Sequence, residues 1–124
     1  MTLSPTLTKT ISRTLFALPM MVFGALHFMN AQAMSAMAPS FVPGGVIWVY
    51  LTGLALLAAA VAILANRFAV WASLLLGILL LSFALTVHLP GVMNPDTMAM
   101  SLPNLLKDTA LSGAAFAFAG ILKS

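Results

Sequence analysis

Three side chains carry most of the acid–base capacity of this sequence: His27, His88 and Asp108. Asn104, Asp108 and Ser112 are spaced by four, so on a helix they form one polar stripe. Lys107 is turned about 100° away from that stripe and is expected to reach outwards. Asp108 has two readings. It complements the positive end of a helix dipole, or it is the partner of His27 or His88. The histidines are open in the same way. Each is a neutral residue hydrogen-bonded to a backbone carbonyl or loop, or the two act together as a proton-handling pair, as ligands of a haem b, or in a metal site.

Six of the nine methionines fall near the same levels of the chain: Met29, Met34, Met37, Met93, Met98 and Met100. Thioether and imidazole suit copper, which makes His27, His88, Met34, Met37, Met98 and Met100 an alternative metal set. Methionine is equally a flexible apolar filler. With no cysteine, disulfides and thiolate sites are excluded. No phosphate-binding glycine loop, nucleophile elbow or metalloprotease pair occurs. Two acidic residues in all argue against a two-carboxylate hydrolase.

These residues sit in a chain built for lipid. Of 124 residues, 62% are hydrophobic and 6% charged, against about 25% charged in a soluble domain. So few charges cannot cover a water-facing surface. The five basic residues are scattered, so the net charge of +3 makes no nucleic-acid patch. A bilayer-spanning helix takes about 20 apolar residues, and the pattern predicts helices over about residues 13–32, 46–65, 68–88 and 104–122. Pro19 falls inside the first, as bilayer helices tolerate. Asn66-Arg67 reads as a minimal turn. Pro39, Pro43 and Gly44-Gly45 mark one longer link, and Pro90-Gly91, Asn94-Pro95 and Pro103 mark another. Ser101 or Asn104 is the expected cap of the last helix.

The expected architecture is a single all-α domain, a transmembrane four-helix bundle running up-down-up-down. Four passes place Lys9, Arg13, Arg67 and Lys123 on one side and leave Lys107 with Asp96 and Asp108 on the other. The positive-inside rule then puts both termini in the cytoplasm. Ala31-Gln32-Ala33 has the small-x-small form of a signal-peptidase site. Removing the first helix, however, would reverse the logic that places Arg67 inside, so the helix is read as retained. At about 1.5 Å per residue, His27 lies about 8 Å below Gln32, level with His88 and Asp108. With Asn104 and Ser112 they form a candidate outward-facing polar pocket. The expected inward stripes are Phe16, Met20, Gly24 and His27 on the first helix, and Leu74, Gly77, Leu81 and His88 on the third. Ala55-x-x-x-Ala59, Ala58-x-x-x-Ala62, Ala110-x-x-x-Ala114 and Gly113-x-x-x-Ala117 allow close helix approach within the bundle or in a homo-oligomer. Trp48, Tyr50 and Trp71 lie near span ends, where aromatics favour the membrane interface.

Several stretches resemble one family. "NLLKDTALSGAAFAFAG" (Asn104–Gly120) is similar to the last helix of small four-span DoxX-type membrane proteins. Arg13 with "FGALHF" (Phe23–Phe28) resembles their first helix, and "YLTGLALLAAAVAIL" (Tyr50–Leu64) their second. The family often has a glutamate just after the glycine of that second helix, where this chain has Leu54-Ala55. The resemblance implies a bacterial or archaeal integral protein of the plasma membrane. Some such proteins are subunits of thiosulfate:quinone oxidoreductase, others belong to redox-stress complexes, and relatives in the wider group act as chaperones or accessory subunits. It transfers no catalytic motif. The expected role is an accessory, quinone-linked component of a membrane redox system, with membrane or periplasmic redox proteins as partners. A scaffold or chaperone-like module without a small ligand is the rival, and a haem or copper protein the third reading.

Orientation is testable directly. Cysteines introduced at Ser35 and Thr97 are expected to react with an impermeant thiol reagent applied to intact cells. A cysteine at Ser124 should react only after lysis. Labelling at Ser124 in intact cells would refute the assigned topology.

Overall fold

The computed structural model describes residues 1–122; Lys123 and Ser124, which bear on the orientation, lie outside the described residues. The protein is all-helical, with no strand among those residues. We number the helices α1 (Thr6–Met29), α2 (Ala31–Ser35), α3 (Val46–Ala65), α4 (Ala69–Val92) and α5 (Met98–Ile121). Three of them, α1, α3 and α4, are long and apolar enough to cross a membrane. Only 22–28% of each span is buried inside the protein. The remaining faces present Leu15, Val22, Leu54, Leu75 and Ile78 outwards. A helix apolar on every face, with most of it unburied, is stable only where the solvent is itself apolar. α5 matches the others in length at 24 residues, but Asn104, Lys107, Asp108 and Ser112 make it more polar.

The helices pack antiparallel in sequence, α1 on α3, α3 on α4 and α4 on α5. One buried cluster joins all four through Phe16, Met20, Leu56, Ile63, Leu76, Leu80, Ala115 and Phe118. α1 and α3 meet glycine to glycine. A Cβ on Gly24 would lie 2.8 Å from Leu57 Cγ and 3.0 Å from the Gly53 carbonyl oxygen. A Cβ on Gly53 would lie 2.9 Å from that of His27. Such approach maximises van der Waals contact, which has to hold helices together where lipid removes the hydrophobic drive. On the other side of the bundle, the Phe116 ring lies against Gly77.

Several expectations are corrected. Most small-residue pairs are out of phase with the packing. Ala55, Ala58, Ala110 and Ala117 are exposed, and Gly113 and Gly120 have open space where a side chain would be. The inward residues of α3 are Gly53, Leu56, Ala60 and Ile63. The α3–α4 turn includes Phe68, which, like Asn66, adopts a left-handed conformation (φ 56° and 54°) and is not helical. α1 stops at Met29, so Ala31-Gln32-Ala33 falls in the separate helix α2, where Ala31 is buried.

The breakers Pro90 and Pro103 both lie within helices. α4 runs on to Val92 and α5 starts at Met98, capped by the backbone at Thr97 rather than by a side chain of Ser101 or Asn104. Pro90 has no N–H to donate, and its ring crowds the carbonyl one turn earlier. The turn just before it, Ala84–His88, is widened to π-helical geometry, which makes room. A π turn holds an extra residue and so rotates the part of the helix beyond it. The buried face of α4 runs through Ser73, Leu76, Gly77 and Leu80 before this turn and Ala84 and His88 within it, with Leu81 turned out.

Gly53→Leu is expected to destabilise the protein by about 1–3 kcal/mol, because backbone and Cβ atoms cannot yield. Gly113→Ala, facing open space within a helix, should be neutral or stabilising by up to about 1 kcal/mol. Unfolding in mild detergent measures both, and equal effects would contradict the packing described.

Candidate functional site

At the end of the bundle that carries the 30–45 segment, α4 and α5 exchange a buried polar contact. His88 ends the widened turn of α4 on its inner face, where its Nε2 lies 3.0 Å from Asp108 Oδ2. Both residues are buried, at 9% and 5% exposure. Close packing one level further out, where Gly91 leaves room for the Ser101 side chain, draws the two helices together. A carboxylate can only accept, so Nε2–H is the donor. His88 Nδ1 is buried without a partner.

Lys107 departs from expectation. It reaches back over the stripe rather than away from it, with Nζ 3.7 Å from Asp108 Oδ1 and 3.3 Å from Asn104 Oδ1. The same ammonium stands 4.5 Å from the centre of the Phe23 ring on α1, a cation–π contact that bridges the bundle. Lys107 and Asp108 thus balance each other's charge. His27 is half-buried, its Nδ1 2.7 Å from the Phe23 carbonyl oxygen. That oxygen accepts, so Nδ1 carries the proton and Nε2 is left free.

These groups edge a cavity of about 570 Å³ between α1, α3, α4 and α5. His27, His88, Asn104 and Asp108 all line it. Ser112 does not; it lies one turn deeper and donates to the Thr109 carbonyl at 2.7 Å. Most of the wall is apolar, including Val49, Leu56, Leu79, Leu80 and Phe83. Met34, Met37, Pro39 and Phe41 of the 30–45 segment cover one side, and the Trp48 indole holds that segment by donating to the Pro43 carbonyl. Met98 and Met100 are exposed and outside the cavity, so the alternative copper set is split. Among the described residues no three His, Asp or Glu side chains converge as metal ligands.

Sequence reasoning missed Lys107, Phe23, Thr52 and Trp48 as cavity residues. Only Lys107 carried a usable signal, its i,i+3 spacing from Asn104 and adjacency to Asp108. The dipole reading of Asp108 is also corrected. With α5 beginning at Met98, Asp108 lies almost three turns in, and the dipole acts on the first turn. Comparison with protein-family models, with curated proteins and with solved structures finds no match.

Asp108→Ala is expected to cost about 1–3 kcal/mol, since it strands the buried His88 N–H without an acceptor. Lys107→Ala, removing a half-exposed partner, should cost at most about 1 kcal/mol. A cost for Asp108→Ala below that for Lys107→Ala, measured by unfolding in detergent, would remove the pair from its structural role.

Proposed function

We propose that this protein is a DoxX-like, four-span component of the bacterial plasma membrane with both termini in the cytoplasm, and that its outer-side cavity binds a ring-headed, lipid-soluble ligand of the quinone class. The role is accessory to a membrane redox system, working alongside membrane or periplasmic redox proteins rather than as a self-sufficient enzyme. The four-span reading is supported by α5 running antiparallel beside α4 at matching length. It is further supported by the placement of the polar residues of α5, with Asp108 and Ser112 facing inward rather than towards lipid.

The ligand reading rests on one observation: a cavity of about 570 Å³, apolar over most of its wall, with its ionisable groups gathered at one side. Ligand sites of this size, apolar with a few placed polar groups, suit a body of one or two rings with an apolar tail. Thr52, Trp48 and the cover formed by Met34, Met37 and Phe41 define the side opposite the α5 groups. Asp108 is the one carboxylate among the residues that line the cavity, so the reading is one of binding and presentation.

The test uses Trp48, one of two tryptophans, as reporter. In a Trp71→Phe background, a decyl-benzoquinone titrated into protein in nanodiscs is expected to quench Trp48 saturably. Thr52→Phe, which fills the cavity, should leave only the linear, collisional component. Identical linear quenching in both proteins would sink the proposal.

A further inference from the structure

We infer that the cavity selects a ligand whose ring carries a hydroxyl group, a phenol or hydroquinol, over the matching quinone or ether, and that His27 makes the selection. This rests on the cavity being a site for a ring-headed lipid, and it adds the hydrogen-bonding character of the head.

The tautomer of His27 is set by its own helix. Its Nδ1 is held 2.7 Å from the carbonyl oxygen of Phe23, one turn earlier in α1. A carbonyl has no proton to give, so in the neutral imidazole Nδ1 is protonated and Nε2 is an acceptor only. The contact is short and local, and Gly53 on α3 leaves room for the His27 Cβ directly against it. The ring is therefore fixed by its own helix and by the glycine crossing, and Nε2 is the nitrogen left for a ligand in the cavity. His88 does not compete for that role. Its Nε2 is committed to Asp108, and its Nδ1 lies buried out of contact with solvent.

The available donor is Lys107, over the ring of the same Phe23 whose carbonyl holds His27. Its ammonium has three protons; Asn104 Oδ1 accepts one at 3.3 Å, and Asp108 pairs with it at 3.7 Å without a hydrogen bond. An acceptor and a donor thus flank one aromatic residue at the cavity wall. A hydroxyl matches both, donating to His27 Nε2 while accepting from Lys107. A quinone carbonyl or an aryl ether can only accept. It satisfies Lys107 and sets its lone pairs against that of Nε2, leaving a desolvated acceptor without a proton. Stranding a polar group in this way is what makes hydrogen-bonding sites reject isosteres that lack the hydroxyl.

Calorimetric titration of the full chain in nanodiscs with 4-hexylphenol, 4-hexylanisole and hexyl-benzoquinone tests this. The phenol is expected to bind about tenfold more tightly than the other two, the equivalent of one hydrogen bond. His27→Phe should abolish the difference while retaining binding of the anisole. In wild-type protein labelled with 15N-histidine, the unprotonated Nε2 resonance of His27 should move upfield on addition of the phenol and stay in place with the anisole. Anisole or quinone binding as tight as the phenol, or a His27 protonated on Nε2 before ligand is added, overturns the inference and leaves the cavity reading standing. Absence of binding by all three overturns the cavity reading itself.

Discussion

A carboxylate inside an apolar bundle has to be neutralised and hydrogen-bonded where it stands, because neither lipid nor packed side chains can solvate it. Asp108 meets that requirement with His88 on α4 at 3.0 Å and with its neighbour Lys107 at 3.7 Å. Much of the local architecture is consistent with this demand. The turn before Pro90 is widened, and both its first and last residues, Ala84 and His88, are buried on the inner face. Gly91 leaves space for Ser101, letting α4 and α5 approach at the level above. Lys107, a residue that would ordinarily reach for water, is drawn across to the Phe23 ring.

The glycine crossing of α1 and α3 plays the complementary part. Backbone contact at Gly24 and Gly53 brings these helices close at the level of His27. With α1 tied to α3 and α4 tied to α5, the space left between the two pairs at this end is the cavity, lined from all four helices and covered by the 30–45 segment. The cavity is therefore a consequence of where the tight contacts lie. α5 contributes Asn104, Lys107 and Asp108 to its wall, α1 and α4 add His27 and His88, and aliphatic residues of α3 and α4 make up much of the rest.

That division has a chemical meaning. One side offers an ammonium and an imidazole nitrogen, the other an apolar wall, and the net charge of the Lys107–Asp108 pair is zero. A neutral, amphipathic ring is a better match to such a surface than an ion, which would have to displace one member of the pair.

Helical class and the α3 boundaries were legible in the sequence, because lipid imposes a length and a composition that any reader can count: Val46–Ala65 is found where hydropathy places it. His27, His88 and Asp108 stood out for the same reason, as rare ionisable groups in apolar runs. Rotational phase was not legible. Periodicity alone put Leu81 inward, whereas the packed face of α4 runs through Leu80 and Ala84, one position round on a helix that is apolar on every side. Nor could it show that α5 would begin as early as Met98, which moved Asp108 away from a helix end and into the bundle. Small-residue spacing marked which helices could approach closely, but within the single chain most of the pairs on α3 and α5 lie outside the packed faces. Lys107 shows the limit most clearly. Its position on the helix directs it away from Asp108's stripe; Asn104 and Asp108 on its own helix offer it oxygens, and only the tertiary arrangement, which sets the Phe23 ring of α1 beside its ammonium, decides that it bends back into the site.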